Sequence, residues 1–143
     1  MKIYLASPYF NDREKMVADS IYDFLVSNGY EVYFFARDGL VLERDSGVED
    51  RKRAFNDNIE AIMNCDAVVA NIERDPEYGI DCGTVFDLAV GWQSGKKIVA
   101  YDELSGGRMN VMLAIACDGF AKGEGELLQA LSGGKKDWQG DVI

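Results

Sequence analysis

Residues 66–101, DAVVANIERDPEYGIDCGTVFDLAVGWQSGKKIVAY, decide the fold. Ala67 to Ala70, within DAVVAN, form a short apolar run of strand length, and Lys97 to Tyr101 form another. Between them a polar loop with Arg74, Asp75 and Pro76 leads into an apolar helical stretch. A strand with no polar face is buried on both sides, as in a parallel sheet covered by helices. The succession strand, helix, strand is therefore the mark of a right-handed βαβ unit.

The helix within this unit, in the segment Gly79 to Gly95, carries one carboxylate, Asp87, among Val85, Phe86, Leu88, Ala89, Val90 and Trp92. So apolar a helix is expected to be largely buried. A desolvated carboxylate must then be paired, protonated or used. Gly83 and Gly91, one turn before and one turn after Asp87, are expected to strip the helix surface beside it and open it to a ligand. Asp81 is placed to cap the helix by accepting from the amide near Thr84.

Working outward, the same alternation continues. Lys2 to Ala6 read as a first strand, followed by a helix with Met16, Val17, Ser20, Ile21, Phe24 and Leu25 on one face and stopped by Asn28 and Gly29. Glu31 to Phe35 read as a second strand, and Arg37 to Asp50 as a loop long enough to be a lid. A helix from Glu49 to Asn64 turns Phe55, Ile59, Ile62 and Met63 inward. Arg108 to Ala116 read as a short helix opened by Asn110, Gly119 to Ala121 as a last strand, Glu124 to Leu131 as a last helix, and the remainder as a tail. The expected fold is α/β: one flavodoxin- or Rossmann-like domain over residues 1–143, with a parallel sheet of about five strands and helices on both faces.

Ligands of such sheets bind beyond the carboxyl ends of the strands. Those ends are Ala6, Ser7, Pro8, Tyr9 and Phe10 after the first strand, Asn71 to Asp81 after the third, and Asp102 to Asn110 after the fourth. No glycine fingerprint for a dinucleotide or triphosphate follows any of them. Tyr4 can direct its hydroxyl at Asp87 from the central strand, while Tyr9 and Phe10 offer ring faces to a flat heterocycle.

Composition narrows the chemistry. The 143 residues are 48% hydrophobic and 28% charged, enough for one core, and the net charge is −10. That charge argues against nucleic-acid polymers as partners, because their binding rests on Lys and Arg neutralising phosphates. With no histidine, a serine–histidine triad, a histidine base and histidine metal sites are excluded. Cys65, Cys82 and Cys117 lack paired spacing, so neither a zinc site nor a disulfide scaffold is expected. MKIYLASPYF is too short in its apolar run for a membrane span or secretion signal, and the expected location is the cytoplasm.

Four segments, MKIYLASPYFNDR, NIEAIMNCDAVVANI, DCGTVFDLAVG and MNVMLA, resemble in order and spacing the nucleoside 2-deoxyribosyltransferases. The resemblance covers most of residues 2 to 118. It implies Asp87 as nucleophile, with Tyr4 and Asp81 in the positions of the family's first-strand tyrosine and upstream acid. It further implies substrate contacts at Ala6, Ser7, Tyr9, Phe10, Asn58, Gly83, Asn110 and Met112, the asparagine segment reaching into a neighbouring subunit's site. The implied reaction is a retaining double displacement moving 2-deoxyribose between nucleobases, in nucleotide salvage, without metal or organic cofactor. The implied partners are 2-deoxyribonucleosides, free bases and further copies of the chain in a dimer or hexamer.

Two positions depart from the family pattern. The usual nucleophile is glutamate, and Asp87 is one methylene, about 1.5 Å, shorter. An acid common near the base falls on Asn58, and the adjacent Asp57 is turned by about 100° around the helix. Two other readings share the fold: a 2-deoxynucleoside 5-monophosphate N-glycosidase, with Ser7 or Arg13 as phosphate donors, and a catalytically idle nucleoside-sensing module.

Overall fold

The computed structural model of the protein describes residues 1–104 and 107–143. In chain order the elements are β1 (Lys2–Ala6), α1 (Asp12–Ser27), β2 (Glu31–Tyr33), α2 (Phe35–Asp38), α3 (Val48–Asn64), β3 (Ala67–Asn71), α4 (Cys82–Gln93), β4 (Lys97–Tyr101), β5 (Arg108–Met109), α5 (Val111–Ala116), β6 (Gly119–Ala121), α6 (Glu124–Ser132) and β7 (Asp141–Val142). Five strands form one parallel sheet in the order β2-β1-β3-β4-β6. Strand order reverses between β1 and β3, so the ends of these two strands flank the crevice where such sheets take ligands.

The side-chain period of two divides the core between the faces of the sheet. Ile3, Leu5, Val69, Val99 and Tyr101 pack with Val17, Ile21 and Leu25 of α1 and Leu127 and Leu131 of α6. Tyr4, Val68, Ala70, Ile98 and Ala100 pack on the other side with Ile62 of α3, Leu88 of α4 and Leu113 of α5. Tyr4 thus belongs to the α3/α4 side while its neighbours Ile3 and Leu5 belong to the α1/α6 side.

Several expectations are corrected. Met16 is exposed, because it sits about 100° from Val17 on the helix and the buried stripe runs through Val17, Ala18, Ile21 and Leu25. The second strand ends at Tyr33, and Phe35 to Asp38 turn into α2, which shortens the loop to residues 39–47. Ile62 is the buried residue of α3. Phe55 lies two turns earlier on the same face, where α3 overhangs the carboxyl end of the sheet, and is 53% exposed; Met63 is turned outward. Nor is α4 wholly buried: Phe86, on the side away from Leu88, is 51% exposed, and Trp92, at the end of the helix, is 55% exposed.

Gly91 does not open a ligand surface either. A Cβ there would lie 2.7 Å from Val68 Cγ2 and 3.2 Å from Ile98 Cδ1, so this glycine lets α4 approach the sheet. Steps of four residues precess by about 40°, which carries Gly91 roughly 80° around from Gly83. The stretch Arg108 to Ala116 is not one helix. Arg108–Met109 pair with β7 as a two-stranded sheet, and α5 starts at Val111 behind the Asn110 cap. The tail is therefore tied back, with Trp138 packed on Phe120 at 5.1 Å between ring centroids. Of the loop after β4, Ser105 and Gly106 lie outside the described residues.

Candidate active site

A cavity of about 680 Å³ opens beyond the carboxyl end of β1, between the Ser7–Phe10 turn, α2 and the 40–42 segment, the middle of α3 and the start of α4. Its size suits a small organic ligand. Leu40, Val41, Phe55 and Phe86 make its walls apolar, and Asp87 and Asp81 are its acids.

Asp87 is held from below. The Tyr4 hydroxyl, on a fully buried side chain, donates to Asp87 Oδ2 at 2.8 Å. Among the described residues no hydrogen bond engages Asp87 Oδ1, so one carboxylate oxygen is fixed and the other is free. Burial raises the Asp87 pKa to about 6; the Tyr4 hydrogen bond pulls it back down, and the charge of Asp81 adds to the rise. The hydroxyl favours the ionised acid, but burial outweighs it. Tyr4 itself is pushed far above the ordinary tyrosine value by burial and by Asp87, and stays a donor.

Asp81 caps α4 as expected: its Oδ2 accepts from Thr84 N at 2.7 Å and from Thr84 Oγ1 at 2.9 Å. A Cβ at Gly83 would stand 3.2 Å from that same Oδ2, so glycine leaves room for both the cap and the cavity. Ser7 is buried; its Oγ donates to Pro8 O at 3.1 Å and accepts from Asn71 Nδ2 at 3.1 Å. Glu14 Oε2 accepts from Phe10 N at 2.7 Å and Asn11 N at 3.2 Å, which fixes the turn carrying the aromatic wall. Tyr9 lines the cavity, but its ring packs edge-on against Phe34 and its hydroxyl donates to Asp19; Phe10 is 71% exposed and unencumbered.

Not all candidate residues meet here. Ser7, Tyr9, Phe10, Asn58, Asp81, Gly83 and Asp87 line the cavity. Ala6 is sealed in the core beneath it, because its side chain joins the buried α3/α4 layer. Asn110 and Met112 do not line it: Asn110 Oδ1 accepts from Met112 N at 2.9 Å as the cap of α5, and Met112 is 75% exposed. Among the described residues no cluster of three or more His, Cys, Asp or Glu is grouped to hold a metal ion, and no helix is long and apolar enough to cross a membrane.

The family model described as nucleoside 2-deoxyribosyltransferase matches residues 3–115. The chain belongs to this family. Among solved structures, the chain is similar to the 2-deoxyribosyltransferase of Bacillus psychrosaccharolyticus, with a TM-score of 0.80, 23% identity, and coverage of 89% of this chain and 90% of that one. It is also similar to a conserved protein from Enterococcus faecalis (TM-score 0.75, 17% identity, 91% and 96% covered). The Clostridium botulinum CMP N-glycosidase shares the fold as well (TM-score 0.60, 20% identity, 92% and 98% covered). No curated protein sequence matches the chain.

Within this nucleoside 2-deoxyribosyltransferase fold, sequence reasoning missed three contributors to the site. Tyr33 stacks on Tyr4 at 5.6 Å between ring centroids, tilted by 18°, and its hydroxyl donates to Asn58 Oδ1 at 3.2 Å. Phe55 and Phe86 face each other at 6.0 Å across the cavity rim. Helical periodicity puts Phe55 in line with the buried Ile62 and cannot register that α3 overhangs the sheet; Phe86 sits among apolar neighbours on the face of α4 opposite Leu88. The alternation Tyr4 and Tyr33 on the inward positions of paired strands was a signal that could have located the stack.

Proposed function

We propose that the protein transfers a 2-deoxyribosyl group between nucleobases by a retaining double displacement through a covalent deoxyribosyl–Asp87 ester. The observation that carries this reading is the carboxylate at the floor of an apolar cavity, one oxygen held by Tyr4 and the other free. Asp87 Oδ1 attacks the anomeric carbon as the carbon–nitrogen bond breaks; the bonding pair leaves with the base, which takes up a proton. A nitrogen of the second base then attacks from the vacated face, the ester bond breaks, its pair returns to Asp87, and the incoming base loses a proton. Tyr4 orients the nucleophile, and Asp81 Oδ1, which has no partner among the described residues, serves to accept a hydrogen bond from a sugar hydroxyl.

The cavity favours an uncharged 5-position over a phosphate. Among the described residues its wall carries Asp81 and Asp87 but no Lys or Arg. Arg13 is committed: it donates to Glu73 through Nε at 3.2 Å and Nη2 at 2.8 Å, and to Glu103 at 3.1 Å. A phosphate would meet two carboxylates without a countercharge. Incubation with deoxyinosine and free adenine is therefore expected to yield deoxyadenosine and hypoxanthine, with little turnover of a deoxynucleoside monophosphate. Free sugar from the monophosphate without base exchange would establish the glycosidase instead, and no product in either arm would leave a binding module.

The active unit in this reading is a homo-oligomer whose sites are completed by Asn110 of a neighbouring copy. In support, Asn110 lies off the protomer's own cavity with its amide nitrogen unengaged among the described residues, beside the exposed Val111, Met112 and Ile115. Contiguous exposed apolar side chains of this kind mark interaction surfaces. Mixing inactive Asp87→Ala with inactive Asn110→Ala, under conditions of subunit exchange, is expected to restore part of the activity, since a mixed pair holds one intact site. Exchange without recovery, or a fully active wild-type monomer, overturns the shared site.

A further inference from the structure

The side-chain donors on the cavity wall are unequal. Ser7 Oγ donates to Pro8 O, the Tyr9 hydroxyl to Asp19, and Thr84 Oγ1 to Asp81. Among the described residues the amide nitrogen of Asn58 alone in this set has no protein partner, although Asn58 lines the cavity. Its oxygen is taken, by Tyr33. We infer that Tyr33 is a positioning residue: it locks the Asn58 amide with its nitrogen toward the ligand, so that the site selects nucleobases presenting a hydrogen-bond acceptor at that place. This rests on the nucleobase reading of the cavity and adds an atom-level rule for which bases fit.

The orientation follows from pairing. A phenol can donate or accept, and an amide can present either end. With the amide as it stands, the Tyr33 proton meets Asn58 Oδ1 and both are satisfied. Turned over, the amide nitrogen would donate to the phenol oxygen, and the phenol proton would lose the one protein acceptor it has among the described residues, in a half-buried position where an unpaired donor is costly. Burial and the charges of Asp57, Asp38 and Asp87 push the Tyr33 pKa up, so the proton stays on the phenol. Two contacts hold the phenol in place. Its ring stacks on Tyr4, and its oxygen occupies space that Gly39 leaves empty, since a Cβ at Gly39 would lie 3.0 Å from that oxygen and 2.8 Å from Phe35 O.

The test uses adenine and its three analogues in which N1, N3 or N7 is replaced by CH, each as acceptor base with one deoxynucleoside donor. In the wild type, one replacement is expected to lower kcat/KM by about tenfold, the loss of one hydrogen bond to a site built for it, and the other two far less. Tyr33→Phe keeps the ring but frees the amide, and that selective penalty should shrink to about twofold. Asn58→Asp, which offers no donor, should abolish it. A merely structural role for Tyr33 would lower all four bases alike and leave the pattern intact. The inference is overturned by a wild type indifferent to all three replacements, or by an unaltered pattern in folded Tyr33→Phe. Dissociation constants of the four free bases, measured by calorimetry, read the same pattern without chemistry. Binding with this pattern in a protein that transfers nothing would keep the inference and discard the transferase reading; no binding of any base overturns the inference itself.

Discussion

Asp87→Ala is expected to fold and to lose about three orders of magnitude or more in transfer rate, because it removes the group that bonds to the sugar. Initial rates of base exchange measure the loss, and circular dichroism with thermal melting checks the fold. The variant strands the buried Tyr4 hydroxyl, which costs about 1–3 kcal/mol for an unpaired donor, so a lowered melting temperature is part of the expectation. Residual activity above a few percent of wild type would remove Asp87 from the nucleophile's role. Asp87→Glu probes the length of the acid. The 2.8 Å bond from Tyr4 seats the shorter side chain as it stands, and one more methylene would drive the carboxylate about 1.5 Å past that position. The glutamate variant is expected to be slower than wild type; a faster one would mean that the site is shaped for the longer acid.

Tyr4→Phe carries the second largest effect and has two signatures. The rate is expected to fall by about one to two orders of magnitude, the loss of one charge-assisted hydrogen bond to the reacting group. The pH profile should move as well. Asp87 attacks only when ionised, so wild-type activity falls as pH drops through its pKa of about 6. The Tyr4 hydroxyl lowers that pKa, so its removal raises it, and the acid limb of kcat/KM shifts to higher pH. A rate loss with an unmoved limb would make Tyr4 a packing residue whose hydroxyl does not act on Asp87.

The parts of the site that were legible in the sequence are those fixed by local rules. Asp81 caps its helix because an aspartate three residues before Thr84 can do so in any context. Tyr4 reaches Asp87 because period two in a central strand and an inward acid on the covering helix leave the two on one side of the sheet. The rest depended on where elements end relative to one another. Phe55 obeys the periodicity of core residues, in line with Ile62, and still stands at the cavity rim opposite Phe86, since α3 extends past the sheet. Gly83 and Gly91 look equivalent in sequence, yet one borders the cavity and the other lets α4 sit close on Val68. Tyr33 lies at the end of a strand that the pattern runs on to Phe35, and the turn into α2 that sets its hydroxyl beside Gly39 has no strong sequence sign.

The division of the sheet into two independent layers has an evolutionary consequence. Ile3, Leu5 and the helices α1 and α6 hold β1 from one side, whereas Tyr4 works from the other. None of Val17, Ile21, Leu25, Leu127 and Leu131 lines the cavity, so a volume-conserving exchange among them leaves the composition of its wall unchanged, although the layer they form also backs Tyr9, Phe35 and Ala36. A slip of β1 by one residue would instead send the phenol into that layer and bring Ile3 or Leu5 against Asp87. Natural variation is thus free to rewrite the back of the molecule while strand register is inherited intact.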